Sequence, residues 1–400
     1  MRKIIIVVAI LSISIMLISL NACGDSADMP NIDSEHNYSN GVCVDCGLKA
    51  DLWDGSTAMK FHNGDGTKGN PYIISTGSEL SYFAQCSKNI SFAEKYIVLN
   101  NNIDLNGKEW MGIKEFYGNF DGNGYSIFSW KMLNGSGFFE YVGGSVQNLK
   151  LNKFYIKNTT NDSGCGCSGD CSSGQSTNIG GIVGELKGYI SSCVVEDGKL
   201  YGSSKIELAI GGIAGKASGT IKNCYSNIEI QGVQKGGGVR IYGGGIAGEN
   251  PSINSKSLSI TNCYSLSKIS GKCSSVWDCA GCYQYYGSKV GGIIGFLYSG
   301  SIQDTYVLGE VNSDSSESAI GCIAGSLWTN NMLKYCYVIE GHIIKNNGNI
   351  INIESAHDGK NVIQSSLIGT LEVLKTKWDA DIWQFEGYNH PKLRCFINHS

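Results

Sequence analysis

A glycine-rich motif returns along the middle of this chain at a spacing that few architectures accommodate. Gly-Gly-apolar-small-Gly stands at Gly180–Gly184, Gly211–Gly215, Gly244–Gly248 and Gly291–Gly295, then as Gly321-Cys322-Ile323-Ala324-Gly325. The steps between copies are 31, 33, 47 and 30 residues. Self-similarity with a period of about 30 residues signals stacked supersecondary units, each too small to bury its apolar face alone. The second half of every unit is an apolar residue, two mostly polar ones, then Cys-Tyr or a near relative. It reads Ile190 to Cys193-Val194, Ile221 to Cys224-Tyr225, Ile260 to Cys263-Tyr264, Ile302 to Thr305-Tyr306 and Leu333 to Cys336-Tyr337. A degenerate copy around Gly137 and Val146-Gln-Asn-Leu149 brings the count to six.

Alternation within a unit assigns its faces. In Cys224 to Gln231, residues Cys224, Ser226, Ile228 and Ile230 share one side of a strand and Tyr225, Asn227, Glu229 and Gln231 the other. The first side is core. About 30 residues hold three short strands with their turns, so one unit per coil is expected, with like positions stacked about 4.8 Å apart. The glycines then mark tight bends or close approach of coils. The thiols of Cys193, Cys224, Cys263 and Cys336, with Thr305 continuing the slot, are expected to point inward as a packed ladder, or to pair as disulfides between coils. Cys322 is expected to be packed as well.

Composition agrees with an exported, non-helical domain: 54 glycines against 4 prolines, 16% charged residues and a formal net charge of −4. Such a charge leaves no basic footprint for nucleic acid. Met1-Arg2-Lys3 followed by the apolar run Ile4 to Leu20 reads as an export signal. The junction Leu20-Asn21-Ala22-Cys23 resembles the lipobox of bacterial lipoproteins, and the resemblance implies that Cys23 is lipidated and anchors the mature chain to a membrane.

Segments 1–22 and 23–66 are read as signal peptide and tether. No cofactor is expected apart from the option of a structural zinc in the tether, for which His36, Cys43 and Cys46 offer three of the four ligands and no fourth is evident; a local Cys43–Cys46 disulfide or an unmetallated spacer is an equal reading. Residues 67–135 are expected to form an N-terminal cap and the first coils. Ser78 is expected to cap a short helix with Leu80, Phe83 and Ala84 on one face, followed by strands at Tyr96–Leu99 and Ile103–Leu105. Two short strands are expected around Asp121-Gly-Asn-Gly124 as a hairpin-type turn. The repeats occupy 136–345, and 346–400 holds a last coil and cap.

The run from Pro71 through Asn-Asn-Ile-Asp-Leu (101–105), Phe-Asp-Gly-Asn-Gly-Tyr-Ser-Ile (120–127) and the Gly-Gly-Ile-Ala-Gly units resembles the GLUG-repeat proteins of bacterial surfaces. The likeness extends over about residues 68 to 393, including a closing segment from Trp378 to Trp383 and Pro391-Lys-Leu393. It implies an all-β, right-handed parallel β-helix with short helical or irregular caps, and extracellular placement. The same repeats occur in the non-catalytic region of immunoglobulin A-cleaving metallopeptidases, and most members have no assigned activity.

Two insertions carry the other cysteines: Cys165, Cys167 and Cys171 in one, Cys273, Cys279 and Cys282 in the next. Each ends nine residues before a Gly-Gly, so both leave the same corner of the solenoid, three rungs apart. Disulfides are the expected state in an exported protein, with a metal site or free thiols as alternatives.

On the outward parity, Tyr225, Tyr264, Tyr306 and Tyr337 form a file suited to stacking on sugar rings, unless loops cover it. Catalysis is not expected. No His-Glu-x-x-His is present, Arg240 is the lone arginine between Arg2 and Arg394, and Asp104 and Asp121 read as structural. The expected protein is a non-catalytic, lipid-anchored envelope protein, not an enzyme, that binds a host glycan or extracellular protein as an adhesin or scaffold. A polysaccharide lyase or glycosidase is the alternative, and would require a groove with converging carboxylates or cations. The oligomeric state is left open.

Overall fold

The computed structural model describes residues 51–397 other than 160–175, 205–206, 235–239, 252–255, 274–286, 315–317, 329–331, 356–357, 359–361 and 388, and also the backbone of Tyr38–Ser39 and Val42–Cys43. The repeated units stack as a parallel β-helix. Each makes one coil, and the first motif glycines lie in register as Gly180, Gly211, Gly244, Gly291 and Gly321. Three sheets wall the solenoid. A five-stranded sheet runs from Thr177–Gly180 to Ala319–Gly321, and a seven-stranded sheet from Ile113–Phe116 to Ala324–Leu327. The remaining strands of each coil join one long sheet.

Each motif glycine has a spatial reason. A Cβ on Gly211 or Gly244 would stand 2.2 or 1.9 Å from the carbonyl oxygen three residues on, where the chain bends from the five-stranded to the seven-stranded sheet. A Cβ on Gly212, Gly245 or Gly292 would meet a carbonyl oxygen of the next coil at 2.0–2.2 Å. Those carbonyls are the acceptors that hold the coils together: Gly292, Ile293 and Ile294 donate their N–H groups to Cys322 and Ile323 at 2.9 Å. In the last coil the acceptor is a side chain. The Asp358 carboxylate takes the N–H groups of Cys322, Ile323 and Ala324, each at 2.7 Å, and so replaces the rung above. Cys322 occupies the second glycine slot in the one repeat whose acceptor above is not a backbone carbonyl.

The other corner of the coil falls between the two polar residues and the cysteine. Asn123, Asn148, Ser192, Asn223, Asn262, Asp304 and Tyr335 all have φ between 50 and 54°. The left-handed region is costly for most side chains and least so for Asn and Asp, which explains the polar pair in the repeat. Inside, Val146, Ile190, Ile221, Ile260 and Ile302 stack in register and are fully buried, each contributing about 2 kcal/mol of apolar burial. Cys193, Cys224, Cys263 and Cys336 point inward as thiols beside Thr305, as the alternation requires. Burial pushes the Cys336 thiol up to about 12, so it packs as an apolar group.

At the N-terminal end a helix, Gly77–Cys86, closes the stack with Leu80, Phe83 and Ala84 buried. Its cap is Thr76 and not Ser78: the Thr76 hydroxyl accepts from the Glu79 N–H, while the Glu79 carboxylate reaches back past the cap to accept from the Ser75 N–H. Phe83 inserts over Phe116 and Phe120 of the first coil. The strands flanking Asp121-Gly-Asn-Gly124 do not form a hairpin. Asn119–Asp121 and Ser126–Leu133 pair with strands of the coils on either side, because a parallel stack offers each strand two partners. The bases of the two cysteine insertions stand three rungs apart, through Thr159, Ser203, Val233 and Lys272.

Replacing Gly212 by alanine is expected to cost ~1–3 kcal/mol or more, because the obstruction is backbone of the next coil and cannot rotate away. Thermal unfolding of Gly212→Ala within error of the wild type would contradict this packing.

Candidate functional site

The four tyrosines form a file, but it is not a binding surface. They lie in register, and adjacent rings stack at 4.6 and 4.7 Å between Tyr225, Tyr264 and Tyr306. They leave the solenoid on its outer side, as alternation dictates, yet none is more than 5% exposed. The cover is the C-terminal segment, which was expected over an end of the stack. Instead Trp378 and Trp383 lie along the lateral face, with Leu374 and Leu393, in one apolar cluster with the tyrosines. Polar groups fix its course: Tyr264 Oη donates to the Pro391 carbonyl at 2.8 Å, Trp378 Nε1 to the Asp304 carbonyl at 3.0 Å and Trp383 Nε1 to Asn223 Oδ1 at 3.3 Å. Four tyrosines in register in water would leave an apolar stripe exposed, and burying it under this strap removes any contact with sugar.

Other expected site residues fall elsewhere. Cys23, His36, Cys46, Cys165, Cys167, Cys171, Cys279 and Cys282 lie outside the described residues, and Cys43 is described in its backbone alone. Cys273 is half-buried against the core. Among the described residues no group of three or more side chains is placed to hold a metal ion, and no helix is long and apolar enough to cross a membrane.

A groove forms instead where the outer faces of the five- and seven-stranded sheets meet. The residue following each motif contributes one wall: Glu185, Lys216, Glu249, Phe296 and Ser326, preceded in register by Glu115 and Tyr141. The residue two before each motif contributes the other: Asn178, Ala209, Tyr242, Lys289 and Ala319. The walls touch across the angle. Tyr242 stacks on Phe296 at 5.4 Å, Lys289 Nζ lies 4.0 Å from the Phe296 ring centre, and Lys216 Nζ approaches Glu207 Oε1 at 3.7 Å. Tyr242 is 3% exposed although it belongs to neither apolar core. At its N-terminal end the groove opens into a cleft of about 990 Å³ lined by Lys114, Glu115, Glu140, Tyr141, Asn178 and Glu185. Aromatic pairs stand at both ends, Tyr117 with Tyr141 at 5.5 Å and Tyr298 with Trp328 at 5.6 Å. Tyr117 and Trp328 are 44% and 54% exposed.

Charge is concentrated mid-groove. Burial, and after it the neighbouring Glu207 carboxylate, push Glu249 up to about 7 against the pull of Lys216 at 2.9 Å. Burial disfavours the Lys216 ammonium, but Glu249 and Glu207 more than offset this and hold it above the usual lysine range. Burial, then the adjacent Arg240 guanidinium, lower Lys289. Burial and Glu207 raise the Tyr242 phenol. A carboxyl group that titrates near neutrality in a groove is the kind of perturbation found at binding and catalytic sites.

These residues were reachable from the sequence. Once the motif is aligned on its glycines, the positions immediately after it and two before it are the ones that carry Glu, Lys, Tyr and Phe, where the motif itself holds only glycine and small or apolar residues. The Cys-Tyr pair is the more regular signal, and it marks the buried file.

Because Glu249 is raised in the folded protein, its favourable contribution is complete below the unfolded carboxylate value near 4.5 and is lost as pH rises through about 7. Glu249→Gln is therefore expected to raise stability at pH 8 by ~2 kcal/mol and to change it little at pH 5. Equal effects at both pH values in chemical denaturation would contradict the assignment.

No family model matches the chain, and no curated protein matches it in sequence. Among solved structures it is similar to the crystal structure of a putative immunoglobulin A1 protease from Bacteroides ovatus, at 22% identity and a TM-score of 0.63, over 84% of this chain and 95% of that one. At that identity the likeness speaks for the fold, and the two chains share a strand-rich parallel solenoid.

Proposed function

We propose that the protein is an exported, lipid-anchored surface protein of the GLUG-repeat type, and that it binds glycan as an adhesin or scaffold, along the groove between the five- and seven-stranded sheets. The observation that carries the reading is the placement of aromatic pairs at the two ends of one groove, Tyr117 with Tyr141 and Tyr298 with Trp328, with Tyr117 and Trp328 about half exposed. Amphipathic rings of this kind supply apolar area with a polar edge, which suits the faces and hydroxyls of a sugar chain. Charged groups between them, Glu185 and Lys216, supply orientation, and Glu249, buried against Lys216, sets the charge behind them. Attachment through Cys23 would place the groove outside the cell.

A second reading is favoured by one feature. Glu249 holds its proton to about pH 7 beside the Glu207 carboxyl, and such a pair is what acid–base cleavage of a polysaccharide employs. Under that reading the groove would cut the chain it binds.

The chain from residue 23 onward, made soluble by Cys23→Ser, is expected to bind a subset of glycans on an array. Tyr298→Ala with Trp328→Ala should weaken a positive glycan about tenfold, whereas Tyr264→Phe should leave it unchanged. Labelled palmitate should enter the wild-type chain in a bacterial host and not Cys23→Ala. Retention of binding by the double variant, or of label by Cys23→Ala, would overturn the corresponding part. Release of reducing ends by the wild type and not by Glu249→Gln would replace binding by cleavage.

A further inference from the structure

The C-terminal half of the groove differs chemically from its N-terminal half. Around Glu249 three cations, Lys216, Arg240 and Lys289, stand with three carboxylates, Glu185, Glu207 and Glu249, so protonation of one carboxyl leaves the cluster net positive. Lys216 pairs with two of these carboxylates, at 2.9 Å to Glu249 and 3.7 Å to Glu207. Among the described residues Arg240 and Lys289 make no ion pair. They are neighbours on one outer face, since Arg240 lies two residues before Tyr242 and Tyr242 is in register with Lys289. On the preceding rungs Arg240 lies beside Glu207 and Lys289 beside Tyr242, and on the following rungs Gly287 and Ala319 stand next to them, so each cation's file is open on one side. Lys289 is held in place over Phe296 and Tyr242, and the stacked Tyr298–Trp328 pair continues the groove beyond Phe296. Two cations are therefore brought together beside a ring platform, Lys289 partly desolvated and Arg240 exposed to solvent.

We propose that this half of the groove is a subsite for an acidic polysaccharide, with a sugar carboxylate or sulfate bound between Lys289 and Arg240 and the adjoining sugar ring against Trp328. The proposal rests on the glycan-binding reading and narrows it to chains that carry oxyanions. Lysine and arginine supply donors directed at an oxyanion, and the anion relieves the repulsion that the two cations exert on each other. The site is also linked to protons. The groups facing Glu249 are Glu207, Lys216, Lys289, Arg240 and Tyr242, and of these carboxylates Glu249 is the one raised to about 7. Its protonation removes a negative charge from the subsite, so an acidic chain binds more tightly as pH falls from 8 to 6, a range in which uronate carboxylates and sulfates stay ionised.

The test uses the soluble chain from residue 23, with polygalacturonate, chondroitin sulfate, dextran and polyglutamate as probes in titration calorimetry. Polygalacturonate or chondroitin sulfate should bind, and the polymer that does should bind several-fold more tightly at pH 6 than at pH 8. Glu249→Gln should abolish that pH dependence. Lys289→Gln and Arg240→Gln should each weaken the acidic polymer about tenfold with an unchanged thermal transition, while Lys187→Gln should not weaken it. Dextran bound as well as the acidic polymers would overturn the subsite while leaving glycan binding intact. Equal binding of polyglutamate would reduce it to bulk charge and overturn it. Binding of none of the four probes, with a positive neutral glycan on the array, would overturn it too; an empty array besides would remove the glycan reading itself.

Discussion

The structure depends on a hydrogen bond that crosses from one coil to the next at a corner where no side chain fits. At each Gly-Gly the backbone N–H groups of one rung donate to the carbonyls of the rung beyond, as Gly292, Ile293 and Ile294 do to Cys322 and Ile323. The second glycine is what allows the approach, since a Cβ there would lie about two ångströms from the accepting oxygen. Fixing that corner in every coil fixes everything that follows it in the chain. Interior isoleucines, thiols and left-handed asparagines therefore fall into straight files despite a 47-residue step in the repeat, because the extra length leaves as an insertion rather than as a change of register.

A ladder of this kind has no natural end, and unsatisfied donors at its last rung would be costly when buried. Asp358 resolves this by presenting a carboxylate where the next coil's carbonyls would be. The other end is closed by packing: a capped helix sets Phe83 onto the first aromatic rungs. The two terminations differ because one end offers donors and the other an open apolar interior.

The two outer files illustrate how stacking turns a side-chain choice into a surface. Repeating tyrosine at one position makes a continuous apolar stripe, and the chain's own C-terminus covers it with Trp378 and Trp383. Varying the residue beside the motif makes a mixed file, Glu185, Lys216, Glu249 and Phe296, in which opposite charges meet on successive rungs and pair where they are buried. Uniformity led to burial and variety to a groove. The groove's depth comes from the acute bend at the glycine corner, which turns the outer faces of two sheets toward each other until Tyr242 meets Phe296.

Periodicity and alternation within the chain were enough to determine the parallel stack, the inward thiols at Cys193, Cys224, Cys263 and Cys336, and the rung-for-rung register, because each is a consequence of local strand geometry repeated at one spacing. The capping of the first helix by Thr76 rather than Ser78 lay within reach of the same reading. What a strand's two faces meet was not determined, since parity sorts inside from outside and says nothing of what lies beyond the outside. Only the tertiary structure decided that the tyrosine file lies under the C-terminal strap, that Asp358 stands in for a missing coil, and that residues flanking the glycine corner converge. All three depend on contacts between segments far apart in the chain, whose free energy comes from burying stripes and donors that exist only after the coils have stacked.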